Sequence, residues 1–168
     1  MLLKLLLTFL ILICILIPMK LGCSTYPSNP TLNETFQIAG ARYGVDWKLA
    51  KAVAIVESEL NPQAISHKGA IGIMQIHPGL ANWYKISKKL LFNQYVNIHI
   101  GTSYLSLLTK RYGLKPGLQM YNLGETKYHN RKRSIGYYNR VLKGYHLQIR
   151  IWHVILEGKV WGGWWRKS

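Results

Sequence analysis

Between Trp47 and Glu59 the apolar residues Leu49, Ala50, Ala52, Val53, Ala54, Ile55 and Val56 spread around a helical wheel, broken early by Lys48 and Lys51. A helix apolar on nearly every side belongs in the core, and Asp46 is placed to cap it. Upstream, Thr31 and Glu34 form an N-cap and N3 pair that opens a first helix, which Gly44 closes. From Asn61 to Gly79 the breakers Pro62, Gly69, Gly72, Pro78 and Gly79 predict turns with a short extended piece at Ile71 to Ile76. Asn93 caps a long helix to about Tyr112, its repeat marked by Val96, Ile100, Tyr104, Leu107, Leu108 and Arg111, with Gly113 as its stop. Shorter helices are expected near Gly117 to Asn122 and Ser134 to Lys143. Some five helices, with almost no alternating run before Tyr145, make the fold all-α, or α with a small hairpin.

The ends follow other rules. Met1 to Lys4 carry a positive charge, and Leu5 to Ile17 form an apolar block of 13 residues, Thr8 among them, with no charge, a length that suits a secretion signal better than a bilayer span. Gly22 and Ser24 fit a peptidase site cutting after Ser24. "LGC" at residues 21–23 offers lipidation at Cys23, with Lys20 where that box normally has Leu, and an uncleaved anchor is a third reading. Residues 1–24 are thus a signal or anchor, 25–30 a short linker, 31–144 the globular domain and 145–168 a basic, Trp-rich tail. In that tail "HLQIRIW" alternates, and Trp161, Trp164 and Trp165 stand beside Arg166 and Lys167, a mix that suits a membrane interface, a glycan surface or a frayed end.

Cys14 and Cys23, the two cysteines of the chain, both lie in or beside the N-terminal segment, which excludes a disulfide scaffold or cysteine metal site in the domain. No His and carboxylate spacing suggests a metal and no glycine-rich loop has the context of a phosphate cradle, so no cofactor is expected. With 22 Lys and Arg against 6 Asp and Glu the formal charge is +16, and removal of Lys4 and Lys20 with the signal leaves +14. An exported cation of that size meets anionic wall polymers and lipids rather than nucleic acid, unless the charge is only a solvated face.

So few acids can be sorted by position. Glu34 and Asp46 sit at helix starts, Glu157 in the tail, and Glu125 in a polar stretch after a glycine. Glu57 and Glu59 remain, roughly 200° apart around one helix, so they cannot together flank one bond. Glu57 shares its side with Val53, Ala54 and Leu60 near the negative end of a buried helix. Desolvation and dipole both oppose its ionisation, as a general acid requires. Glu59, beside Ile55 and Val56, sees a similar setting, and periodicity alone does not separate the two.

The stretch Glu57, Ser58, Asn61, Pro62, Ala64, Ser66, Gly69, Ala70, Gly72, Met74, Gln75 and Pro78 resembles the lytic transglycosylase domain of the soluble-transglycosylase type. "NIHIGTSYL" at 97–105, "MYNLG" at 120–124 and "YYNRVL" at 137–142 follow in that family's order, so that residues 32–143 are covered. The resemblance implies a lysozyme-like helical globule that cuts the β-1,4 bond between N-acetylmuramic acid and N-acetylglucosamine in peptidoglycan. In that family, the resemblance implies, one glutamate protonates the leaving oxygen, the substrate's acetamido group stabilises the oxocarbenium-like centre, and the same glutamate takes a proton from the C6 hydroxyl, closing a 1,6-anhydro ring. This is the substrate-assisted exception to two-carboxylate glycosidases.

Carried over by position, the resemblance makes Glu57 catalytic and places Ser66, Met74, Gln75, Tyr121, Asn122 and Tyr137 around the sugars, with Ser58 and His77 as further candidates. Met74 and Tyr121 can equally be core filler, Ser66 a turn residue, Gln75 and Asn122 partners of the backbone, and Ser58 a support for the helix end. Three positions depart from the family pattern: His77 stands where many members carry methionine, Arg133 where a glutamate often faces the cleft, and Met120 in place of alanine. Glycan strands are the implied partner. A bare domain without wall-binding repeats adds a secretion or conjugation apparatus as partner, and the N-terminal segment or Trp-rich tail adds membrane contact. The expected location is the periplasm or cell envelope. A goose-type lysozyme, which hydrolyses the same bond, and a non-catalytic cationic wall- or membrane-binding protein are the alternatives.

Overall fold

The capping box at Thr31 sets the first helix. Thr31 Oγ1 accepts from the Glu34 amide at 3.3 Å and the Glu34 carboxylate accepts from the Thr31 amide at 2.8 Å. Helix α1 then runs Leu32–Tyr43 and stops at Gly44. Asp46 accepts from the Lys48 amide at 2.9 Å and opens α2, Trp47–Ser58. These elements come from a computed structural model that describes residues 29–156. The chain divides into two units, Met1–Pro30 and Thr31–Ser168, and the second holds all the helices described below. The predicted signal, lipidation site, Glu157 and Trp-rich end lie outside the described residues.

After α2 come α3 (Pro78–Trp83), a 3-10 turn (Lys88–Phe92), α4 (Gln94–Tyr112), α5 (Leu114–Leu123), α6 (Glu125–His129) and α7 (Ile135–Leu156). The class is all-α. In place of a hairpin, the described residues hold two isolated bridges, Ile65 with Ile71 and Ile71 with Ile76, which fold the loop between α2 and α3 back on itself. As its pattern requires, α2 is central: Leu49, Ala50 and Ala52 to Ala54 are buried, and the helix packs against α1, α4 and α7. Helix α4 lies against α1 and α5, with Leu105 and Leu108 in the core beside Phe36 of α1 and Leu118 of α5.

Two elements differ from expectation. The last helix does not end at Lys143 but continues to Leu156, so the alternating "HLQIRIW" is helical. The reason is tertiary. Tyr145 donates to the Asp46 carboxylate at 2.8 Å, and Trp152 packs edge-on against Trp47 with 5.2 Å between ring centres, so this stretch finds a partner along the start of α2. Leu147, Ile151 and Val154 remain exposed on its other side. In α4 the buried face is more polar than the apolar repeat implied: Asn97, His99, Thr102 and Ser106 are buried, whereas Leu107 and Arg111 are exposed.

Candidate active site

The last turn of α2 carries the acids. Glu59 terminates the helix in the left-handed conformation (φ 55°) and is exposed, while Glu57, roughly 200° away around the axis, lines a cleft of about 420 Å³. The structure thus separates the two residues that periodicity left equal. Burial raises the Glu57 carboxyl from its usual range to about 7, against the opposing pull of a hydrogen bond from Tyr137 and the positive charge of Arg140. Tyr137 donates to Glu57 Oε1 at 2.7 Å, so the proton of the neutral acid resides on Oε2, which has no hydrogen-bond partner among the described residues.

The loop after α2 forms one wall. Ser58 Oγ donates to the Ile73 carbonyl at 2.7 Å and joins the end of α2 to that loop. Asn97, fully buried on α4, holds the loop from beneath: its Oδ1 accepts from the Met74 amide at 2.8 Å, and its Nδ2 donates to the carbonyls of Ile71 at 2.9 Å and Leu91 at 2.8 Å. Gly72 sits directly over this amide with φ 82°, where a side chain would collide with it. The fixed wall presents Ser66 and Gln75 to the cleft. Ser66 Oγ accepts from the Ala70 amide at 3.0 Å, leaving its O–H to donate. Gln75, itself at φ 51°, spends Nε2 on the carbonyls of Gly72 and Ala64, leaving Oε1 to accept. Serine donor and glutamine acceptor together match the two ends of an acetamido group.

Asn122 and the ring of Tyr121 line the cleft from α5. Asn122 Oδ1 accepts from the Ser134 hydroxyl at 2.8 Å, which orients its amide nitrogen as a donor. Tyr121 donates to the Met74 carbonyl at 3.0 Å. His77 caps α3 by accepting from the Gly79 amide at Nδ1, at 3.3 Å, and also lines the cleft; that bond leaves the imidazole proton on Nε2.

Three of the candidate site residues lie outside the cleft lining. Met74 is fully buried, its sulfur against Gly101 and Thr102, and it serves the cleft only through its backbone. Tyr137 is 3% exposed and reaches Glu57 from the core side. Ser58 is spent on the backbone as described. Arg133 stacks on Tyr128, 4.3 Å from its ring centre, and does not line the cleft; Met120 is core. Glu125 accepts from the Tyr112 hydroxyl at 2.9 Å and also lies outside the lining. Sequence reasoning missed Asn97, Arg140, Tyr104 and the cleft residues His67, Lys68 and Lys127. Asn97 was detectable as a polar residue within the apolar face of α4; the other three resemble any solvated side chain until the fold gathers them. Among the described residues no cluster of His, Cys, Asp and Glu could hold a metal, and no helix is long and apolar enough to cross a membrane.

Residues 34–140 match the family model of the transglycosylase SLT domain. The membrane-bound lytic murein transglycosylase E of Buchnera aphidicola is 39% identical over 89 residues, 48% of this chain and 40% of the relative. The membrane-bound lytic murein transglycosylase C of Histophilus somni is 41% identical over 83 residues, 44% of this chain and 23% of the relative. The chain therefore spans well under half the length of these curated relatives. Among solved structures, the 70 kDa soluble lytic transglycosylase of Escherichia coli superposes with a TM-score of 0.54 and 26% identity over 67% of this chain and 20% of its own. With the family model covering most of the helical domain, the chain belongs to the transglycosylase SLT domain family.

Proposed function

We propose that this protein is a peptidoglycan lytic transglycosylase that cuts the β-1,4 bond between N-acetylmuramic acid and N-acetylglucosamine and leaves a 1,6-anhydro end. One observation carries the reading: among the described residues Glu57 is the sole carboxylate lining the cleft, and burial holds it protonated up to about pH 7. Glu57 passes its Oε2 proton to the glycosidic oxygen as the C1–O bond breaks. With no second carboxylate to meet the developing positive charge, the carbonyl oxygen of the substrate's acetamido group fills that role. The C6 hydroxyl then bonds to C1 and returns its proton to Glu57, so the enzyme ends as it began and no water is consumed. Ser66 and Gln75 orient the acetamido group, and Asn122, Tyr121 and His77 contact the rings.

The names of the relatives support the same chemistry, and "membrane-bound" in those names supports an envelope location. The proposal extends to export into the periplasm or envelope, for which the apolar N-terminal segment is the support. It extends also to membrane contact, which the exposed Leu147, Ile151 and Val154 on α7 favour. Recruitment by a secretion or conjugation apparatus belongs to the same reading. Mass spectrometry of digested glycan tests it: anhydro ends, lighter by one water than hydrolysed ends, are expected. Hydrated ends alone would assign hydrolysis, and wall clearing unchanged in Glu57→Gln would leave a binding protein.

A further inference from the structure

The C-terminal half of α7 has two unlike sides. Gly144 lies against Ala52, Tyr145 bonds Asp46 and Trp152 meets Trp47, so one side is committed to α2. Away from it, Leu147, Ile151, Val154 and Ile155 are each between 39% and 46% exposed. At 3.6 residues per turn these four fall within an arc of about 100°. Lys143 and Arg150, both exposed, flank one edge of that arc, within about 60° of Leu147. Single exposed apolar side chains are ordinary, but four in one stripe form a patch of the kind that marks a contact. The helix carries no Asp or Glu, and among the described residues the sole ion pair is Lys48 with Asp46, so neither cation of the stripe is neutralised. In the sequence the stripe is followed by Glu157 and then by Trp161, Trp164 and Trp165 with Lys159, Arg166 and Lys167.

Three occupants would cover such a stripe, and charge separates them. A second copy would bring its own Lys143 and Arg150 to an interface in which α7 offers no acid. An anionic wall polymer would match the cations and leave the apolar residues wet. The surface of an anionic bilayer meets both needs, because phosphates lie at the level of the cations and the acyl boundary just beneath takes the apolar arc. Tryptophans beside cations, as in residues 157–168, are the composition of that same boundary. We propose that the C-terminal half of α7 is an interfacial helix that binds anionic lipid, with Leu147, Ile151, Val154 and Ile155 below the headgroups and Lys143 and Arg150 on the phosphates. No described helix is long and apolar enough to cross a membrane, so α7 lies along the surface. This rests on the membrane contact already proposed, and adds to it the segment that makes the contact and the lipid chemistry it selects. It is independent of the reaction in the cleft.

The test places an environment-sensitive nitrobenzoxadiazole label on Ile151→Cys in the full chain, in a Cys14→Ser/Cys23→Ser background, with a label on the exposed Lys89→Cys as control. Emission and sedimentation are followed with phosphatidylcholine vesicles that contain or lack phosphatidylglycerol. With phosphatidylglycerol the label at 151 is expected to shift to the blue and resist an aqueous quencher, while the label at 89 does neither. Lys143→Gln/Arg150→Gln should need about tenfold more anionic vesicle for the same shift, and raised salt should weaken the shift in the parent chain. No shift at 151 in a chain that still sediments with vesicles overturns the α7 face and leaves membrane contact standing; neither shift nor sedimentation overturns both. An equal shift without phosphatidylglycerol, or a charge variant that behaves as the parent, overturns the lipid class. A blue emission that needs no vesicle also overturns the proposal, assigning the stripe to a second copy if it grows with protein concentration and to a segment of this chain if it does not. Glycan ends, measured on the same labelled chain, report the cleft separately.

Discussion

Tyr137, 3% exposed and 80 positions along the chain from Glu57, donates its hydroxyl proton to Glu57 Oε1 at 2.7 Å. Burial raises the Glu57 carboxyl, and this bond opposes the rise by favouring the ionised form. Tyr137→Phe removes that stabilisation, so the Glu57 pKa climbs further and the high-pH fall of kcat moves to higher pH. The aromatic ring and its packing remain, so stability should change by only about 1 kcal/mol. The lost bond also frees the carboxyl to rotate, which should lower kcat about tenfold on the plateau. A pH–rate profile of the variant checks both effects; a limb moved to lower pH would contradict the assigned role.

Glu57→Gln separates catalysis from folding. Catalysis by an acid that must start protonated declines as pH rises through about 7, and Gln cannot replace that proton, so a loss of about 10²- to 10⁴-fold is expected. Stability moves the opposite way. A carboxyl whose folded pKa lies above its ordinary 4.5 supports folding fully at pH below that ordinary value, and the support drains away as pH climbs through about 7. The amide has no such dependence. The variant should therefore exceed the wild type in stability near pH 8, by up to about 3 kcal/mol, and show no advantage near pH 4. Urea unfolding at the two pH values measures it.

How far the sequence alone reached depends on which interactions set each feature. The caps at Thr31, Asp46 and Asn93 are local, made within three residues, and each helix starts where its cap predicts. The all-round apolar pattern of α2 correctly announced burial. The second half of α7 was misread because Tyr145 and Trp152 are committed by Asp46 and Trp47, about a hundred positions away, and no local pattern records that. Glu57 stood out by its chemistry and its motif, but Met74 shows what a motif leaves undecided: the same residue can serve a cleft by its side chain or by its backbone. Here it is the backbone, fixed by Asn97 and used by Tyr121.

Asn97 gives the third prediction. Its three hydrogen bonds meet the amide of Met74 and the carbonyls of Ile71 and Leu91, all of them buried residues. Asn97→Leu keeps the branched outline of the side chain and orphans all three groups, each costing about 1 to 3 kcal/mol, so a loss of roughly 3 kcal/mol or more is expected. Denaturant unfolding measures it. A change below about 1 kcal/mol would mean that the loop holds its shape without this anchor.

The fourth prediction concerns how closely α4 meets the loop. A Cβ on Gly101 would stand 2.5 Å from the Met74 sulfur and 2.7 Å from the Met74 Cβ, and the second of these belongs to the stem of the side chain, which cannot swing aside alone. Relief requires Met74 to move as a whole, yet its amide is held by Asn97 and its carbonyl by Tyr121, so the displacement passes into the cleft wall. Gly101→Ala should cost about 1 to 3 kcal/mol by overpacking, and should lower activity more than its loss of folded protein explains. Met74→Ala alone leaves a cavity and costs about 2 to 5 kcal/mol. In the double variant the new methyl gains the space left by the Met74 sulfur, but Cβ of residue 74 stays 2.7 Å away, so the combined loss should fall below the sum of the two single losses by only about 1 kcal/mol. Thermal melts of the four proteins decide it: strict additivity would show that Gly101 and Met74 do not compete for the same space.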